Sequence, residues 1–119
     1  MQTITDEDLA KLKAKHPRGV KVLLSVSEGA DEGAEGDEWV FRLPGRADYQ
    51  AHKAEVKKGL MGSANVGAEL TVFARKLLVW PAADAFEALI ERAPVMGEEF
   101  GAMLLETCAG GLEAREGKR

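Results

Sequence analysis

Cysteine is nearly missing from this 119-residue chain: Cys108 stands alone. One thiol excludes an intrachain disulfide and any thiolate-rich metal centre, and a chain without disulfides suits a reducing compartment. Histidine is almost as scarce. His16 and His52 lie far apart in sequence, so a structural zinc site has no ligand set to draw on. Positive charge is also in deficit, with 16 Lys and Arg against 20 Asp and Glu, a formal charge of −4. Phosphates are held by clustered cations, so this balance argues against nucleic acid and against an anionic membrane surface as partners. No apolar run approaches the roughly 20 residues that a bilayer-spanning helix needs. The start, Met1 to Asp8, carries neither a basic beginning nor an apolar stretch, and no secretory signal is expected there. The expectation is a globular protein of the cytoplasm.

Aromatic residues make up only 6% of the chain, but 45% of it is hydrophobic. One core is therefore expected, anchored on Trp39, Trp80 and the four Phe. A chain of this length hides roughly two-thirds of its unfolded surface, enough for a core without metal or disulfide help. One domain is expected over residues 1–112, followed by a charged tail over 113–119.

Thr5 followed by Asp6, Glu7 and Asp8 reads as a capped helix N-terminus, and His16-Pro17-Arg18-Gly19 as its stop. From Val20 to Ser27 the chain alternates with period two. Val20, Val22, Leu24 and Val26 share one face, and Leu23 shares the other with Lys21, Ser25 and Ser27. A second strand is predicted over Glu38–Leu43, with Trp39, Phe41 and Leu43 pointing together. Between the strands, Glu28 to Asp37 is acidic and Gly-rich without a bulky apolar residue, which predicts a solvated hairpin loop. Its acids do not follow the spacing of a calcium-binding loop.

The remainder reads as helices. The first runs from Arg46 to about Leu60, broken by Gly59, Gly62 and Ser63. Val66 to Trp80 has Leu70, Phe73, Leu77 and Trp80 on one stripe, and about Ala82 to Ala93 has Phe86, Leu89 and Ile90. The last, near Gly97 to Ala109, aligns Phe100, Met103, Leu104 and Cys108 and stops at Gly110-Gly111. Strands grouped apart from helices predict an α+β fold: an N-terminal helix, a two-stranded antiparallel hairpin and a bundle of about four helices.

Chemistry-bearing constellations do not emerge. Cys108 lies on an apolar helix stripe, where a thiol packs as a small hydrophobe. Neither histidine has a recognisable catalytic partner. Gly29, Gly33 and Gly36 sit among carboxylates that repel phosphate, and Gly59-Leu60-Met61-Gly62 lacks the lysine that should follow a phosphate loop. Lys53, Lys57 and Lys58 interleave with Glu55 as a solvated face. No catalytic residue, metal ligand or cofactor is assigned, and the expectation is a protein that is not an enzyme. The second half, in contrast, is rich in apolar side chains for such short helices. A thin two-stranded sheet cannot cover all of them, which predicts a groove for a partner helix lined by Leu77, Trp80, Phe86, Leu89, Ile90, Phe100, Met103 and Leu104.

The stretch Glu38-Trp39-Val40-Phe41-Arg42-Leu43-Pro44-Gly45-Arg46-Ala47-Asp48-Tyr49, with Leu77-Leu78-Val79-Trp80-Pro81 and Phe86-Glu87-Ala88-Leu89 after it, resembles the tail assembly chaperones of long-tailed bacteriophages and prophages. The likeness spans about residues 5–110. It departs from the family pattern in the long acidic loop and at Gly45, where a capping Ser or Thr is expected. The resemblance implies a non-enzymatic protein of the bacterial host cytoplasm. Such a protein binds the long helical tape-measure protein, keeps it soluble, helps tail-tube subunits assemble around it, and is absent from the finished particle. It leaves self-association open. A structural subunit of a phage-like tail or head-tail joint, and a small ligand-binding or enzymatic domain, are the other readings.

Overall fold

The computed structural model describes residues 2–61 and 67–117. Gly59, expected to break a helix, lies inside one that continues to Met61; Gly62 and Ser63, expected to break it too, and Val66, expected to open the next, lie outside these residues, as do the side chain of Leu60 and the end of the tail.

Among the described residues the fold is α+β, with five α-helices and a three-stranded antiparallel sheet ordered β1-β2-β3. Helix α1 (Asp6–Lys15) begins as its sequence dictates: the Thr5 hydroxyl accepts the Asp8 N–H at 3.1 Å, with acids in the first turn and lysines in the last. Strands β1 (Val20–Ser25) and β2 (Asp37–Arg42) form the expected hairpin, pairing Leu23 with Trp39 and Lys21 with Phe41. Helices α2 (Arg46–Met61), α3 (Ala68–Leu77), α4 (Ala83–Arg92) and α5 (Val95–Glu106) follow, and a 3₁₀ turn over Thr107–Ala109 ends at Gly110 and Gly111, both at positive φ.

Three expectations need correction: the number of strands, the end of α3 and the start of α5. The sheet has a third strand, β3 (Leu78–Trp80), on the edge of β2, where Val40 faces Trp80 and Phe41 faces Leu78 across an irregular register. The helix expected to run from Val66 to Trp80 therefore stops at Leu77. Pro81 drives the residue before it out of α geometry, and Val79 and Trp80 favour a pleated surface, so the segment satisfies the open edge of β2 instead. The Trp80–Pro81 bond is cis. The last helix starts at Val95, two residues before its expected opening at Gly97. The periodicity of β1 named no inward face; the core side is the face of Leu23. Leu23 is buried, but Leu24 and Val26 are each 47% exposed. Both faces of β1 carry apolar residues, so its periodicity alone could not choose. The partner chose: Trp39 and Phe41 of β2 face the helices and carry Leu23 with them through the register.

The core lies between that sheet face and α3, α4 and α5. Leu23, Trp39, Phe41, Phe73, Leu77, Phe86, Leu89, Phe100 and Leu104 form one buried cluster. Phe41 sits at its centre, with ring centroids 5.9 Å from Phe86 and 5.6 Å from Phe100, and Trp39 meets Phe86 at 5.6 Å. Each such side chain contributes on the order of 2–3 kcal/mol by leaving water. Helix α5 lies against α3 through Gly97 and Gly101, both buried one turn apart, where a side chain would strike Thr71 and the backbone of Leu70. The opposite sheet face is covered less fully. Val40 is buried there, and residues 2–4 run beside Glu38 on the edge of β2 away from β1: Gln2 exchanges hydrogen bonds with the Glu38 backbone, and the Ile4 N–H donates to Glu38 Oε1 at 2.9 Å. Helix α1 itself has no buried residue.

A candidate docking cleft beside the α4–α5 corner

The eight side chains expected to line a groove do not come together on the surface. Leu77, Phe86, Phe100 and Leu104 are buried in the core and out of a partner's reach in this conformation, and Leu89, only 4% exposed, shows an edge to the cleft at the α4–α5 corner. Trp80 in β3 and Ile90 in α4 are partly buried, Ile90 against the core cluster, and Met103 is exposed. The physical reason is the helix side of β2: Trp39 and Phe41 pack directly on Phe86 and Phe100, and Leu78 of β3 adds to the cover at the edge of the cluster.

An open cleft of about 680 Å³ lies elsewhere, between the hairpin end of β1–β2 and the corner where α4 gives way to α5. Its apolar wall comes from Val26, Leu89, Ala93, Val95 and Met96. Val95 is 54% exposed, and Met96 packs against the core cluster from the cleft side. Ser25, Ser27, Glu28, Asp37, Arg92 and Glu99 rim it with polar groups of both signs. The rim is braced from behind. Ser25 Oγ accepts the indole N–H of Trp39 at 2.9 Å, and Asp37 Oδ1 accepts the Gln2 N–H at 2.7 Å.

The position follows from local sequence. Ala93-Pro94 stops α4, because proline bars α geometry at the residue before it, and Pro94 then opens α5. The reversal leaves Val95 and Met96 at a corner that the sheet does not reach. Val95 and Met96 belong to the apolar second half already visible in sequence. Val26 carried no such signal, since its alternation with Val22 and Leu24 placed it on the wrong side of the strand.

Three other features bear on chemistry. His52, on a helix that reads as charged, is only 7% exposed, packs against Phe73 with centroids 5.0 Å apart, and has no hydrogen-bond partner for Nδ1 among the described residues. Cys108 is half-buried, and burial raises its thiol pKa, which keeps it protonated and sluggish as a nucleophile. Arg42 and Asp48 form a forked ion pair, with Nη1–Oδ2 at 2.8 Å and Nη2–Oδ1 at 3.0 Å, and Asp48 also accepts the Gly45 N–H at 2.8 Å. The Arg42 hydrogen bonds hold the Asp48 carboxyl below its ordinary pKa and raise that of the guanidinium. This pair ties β2 to the start of α2, a structural task.

Among the described residues, no group of three or more His, Cys, Asp or Glu side chains could hold a metal ion, and no helix is long and apolar enough to cross a membrane. Comparison with known protein families, with characterised proteins and with solved structures finds no match.

Proposed function

We propose that the chain is a non-enzymatic assembly chaperone of a phage or prophage tail, which docks an amphipathic helix of the tape-measure protein in the cleft at the α4–α5 corner. The observation that carries this reading is an apolar wall of exposed Val26 and Val95 with half-buried Met96, inside a rim of mixed charge. A helix presents anchors at i, i+3, i+4 and i+7, and such a wall accepts a few of them while Arg92 and the rim acids meet its polar flanks. Met96 adds an adaptable surface suited to a long repetitive client rather than one fixed ligand. The resemblance of Glu38–Tyr49, Leu77–Pro81 and Phe86–Leu89 to tail assembly chaperones supplies the client class, and the tail-tube subunits are the second partner it implies.

The test is co-expression with a phage tape-measure protein. Wild type should keep that protein in the soluble fraction. Val95→Glu and Val26→Glu, at exposed positions, should lose that effect with the fold intact by circular dichroism. A client whose solubility is indifferent to the chain, or to both substitutions, refutes the proposal. Stoichiometric retention of the chain in finished particles would point instead to a structural subunit.

A further inference from the structure

The hydrogen-bond pattern of the sheet fixes which side of β1 is open. Both main-chain groups of Glu38 face Gln2, on the side away from β1, and Leu43 N–H donates to Gly19 O at 3.0 Å. Odd-numbered residues of β2 thus turn their backbone toward β1, and odd-numbered residues of β1 answer them. The N–H and C=O groups of Val20, Val22 and Leu24 point the other way, along a sheet edge on which no described residue pairs. Such an edge is usually blunted by proline, a bulge or an inward charge. Within Val20–Ser25 the only such feature is Lys21, which lies on the helix side of the strand; on the other side Val20, Val22 and Leu24 form an apolar row beside the open groups.

Charge is distributed along this edge by sign. At its start stand Lys15, Arg18 and Lys21; past its end stand Glu28, Glu32 and Glu35, all exposed. None of them makes an ion pair among the described residues, where Lys11, Arg42, Lys58, Arg75 and Arg115 supply the cationic partners. An edge that is basic at one end and acidic at the other complements itself when turned antiparallel.

We infer that the β1 edge pairs with the β1 edge of a second copy of this chain, across a two-fold axis at Val22, to make one continuous antiparallel sheet. Val22 faces Val22 of the other copy, Val20 faces Leu24, and each basic end lies beside the other copy's acidic loop. The contact is isologous and closes as a dimer rather than growing into a fibre. Strand addition supplies main-chain hydrogen bonds, the apolar row is shielded from water, and the charges set the register. This goes beyond the role proposed for the cleft and does not rest on it, because its readout is self-association without any client.

Sedimentation of the full chain from micromolar to near-millimolar concentration tests it, with dimer expected at the upper end and weakening as salt rises. Val22→Pro removes an outward N–H and spares the ladder to β2, so the dimer should vanish while the monomer stays folded. Should that variant misfold, Leu24→Lys decides the same point. The paired reversals Arg18→Glu/Lys21→Glu and Glu28→Lys/Glu32→Lys should each weaken self-association by at least about tenfold. An equimolar mixture of the two should restore it, because every junction is then again between opposite signs. A wild type that stays monomeric throughout overturns the inference. So does a dimer indifferent to both edge substitutions, or a mixture no more associated than its components.

Discussion

Replacing Gly101 by alanine probes the closest approach between two helices in this fold. Gly101 is buried in α5 against α3, and its backbone is ordinary helix, so space alone is at issue. An added Cβ would lie 2.6 Å from the carbonyl carbon of Leu70 and 2.9 Å from its Cβ, and closer still to the carbonyl oxygen. A side chain could rotate aside; the Leu70 carbonyl belongs to the backbone of α3 and cannot. Overpacking of this sort costs about 1–3 kcal/mol, and a backbone obstacle places it near the top of that range. Alanine recovers roughly 1 kcal/mol through its better helix propensity. The net expectation is a loss of about 2 kcal/mol, which for a chain of this size lowers the melting temperature by about 8 °C. Gly45→Ser is the control. Its new side chain meets only Arg18 atoms, at 3.6–3.8 Å, and serine is at least as good a helix cap as glycine. Calorimetry or thermal circular dichroism on the three proteins measures the difference. A Gly101→Ala protein as stable as wild type would show that α5 can stand off from α3, and the close packing assigned here would be wrong.

Two further outcomes follow from single contacts. Because Arg42 depresses the Asp48 pKa, the pair stabilises the fold at pH values above the ordinary aspartate pKa of about 3.9, and that contribution is lost as pH falls through the lower native value. Denaturant midpoints measured between pH 7 and pH 3 should therefore fall less steeply in Asp48→Asn than in wild type; equal slopes would mean that the pair contributes nothing to folding. Thr5→Ala removes the acceptor for the Asp8 N–H and should cost about 1 kcal/mol, felt first as faster amide exchange in α1, which has no buried residue to hold it.

The helices were readable where punctuation and periodicity agreed. Thr5 with its three acids opened α1, Pro81 and Pro94 bracketed α4, and the paired glycines closed the C-terminal turn, because each acts on the chain within a few residues. The strand β3 was hidden: Leu78-Val79-Trp80 continues the apolar stripe of α3, and only the vacancy beside Val40 and Phe41 makes it a strand. The docking cleft was half legible. Val95 and Met96 stood out as apolar, but their place at the cleft depends on a helix corner, and the burial of Leu77, Phe86 and Phe100 depends on the helices packing onto Trp39 and Phe41 of β2.

By itself the sequence determined most of the core's aromatic anchors (Trp39 and the four Phe, but not Trp80, which stays partly buried in β3), the hairpin, the helix boundaries set by caps and prolines, and the separation of basic from acidic charge around β1. These are local properties, decided by neighbours along the chain. The tertiary structure decided which face of β1 is inside, which of the apolar side chains remain in water, and which strand edge stays open. Those outcomes turn on contacts between residues far apart in sequence: the register that sets Leu23 beside Trp39, and the third strand that closes one edge of the sheet and leaves the other free.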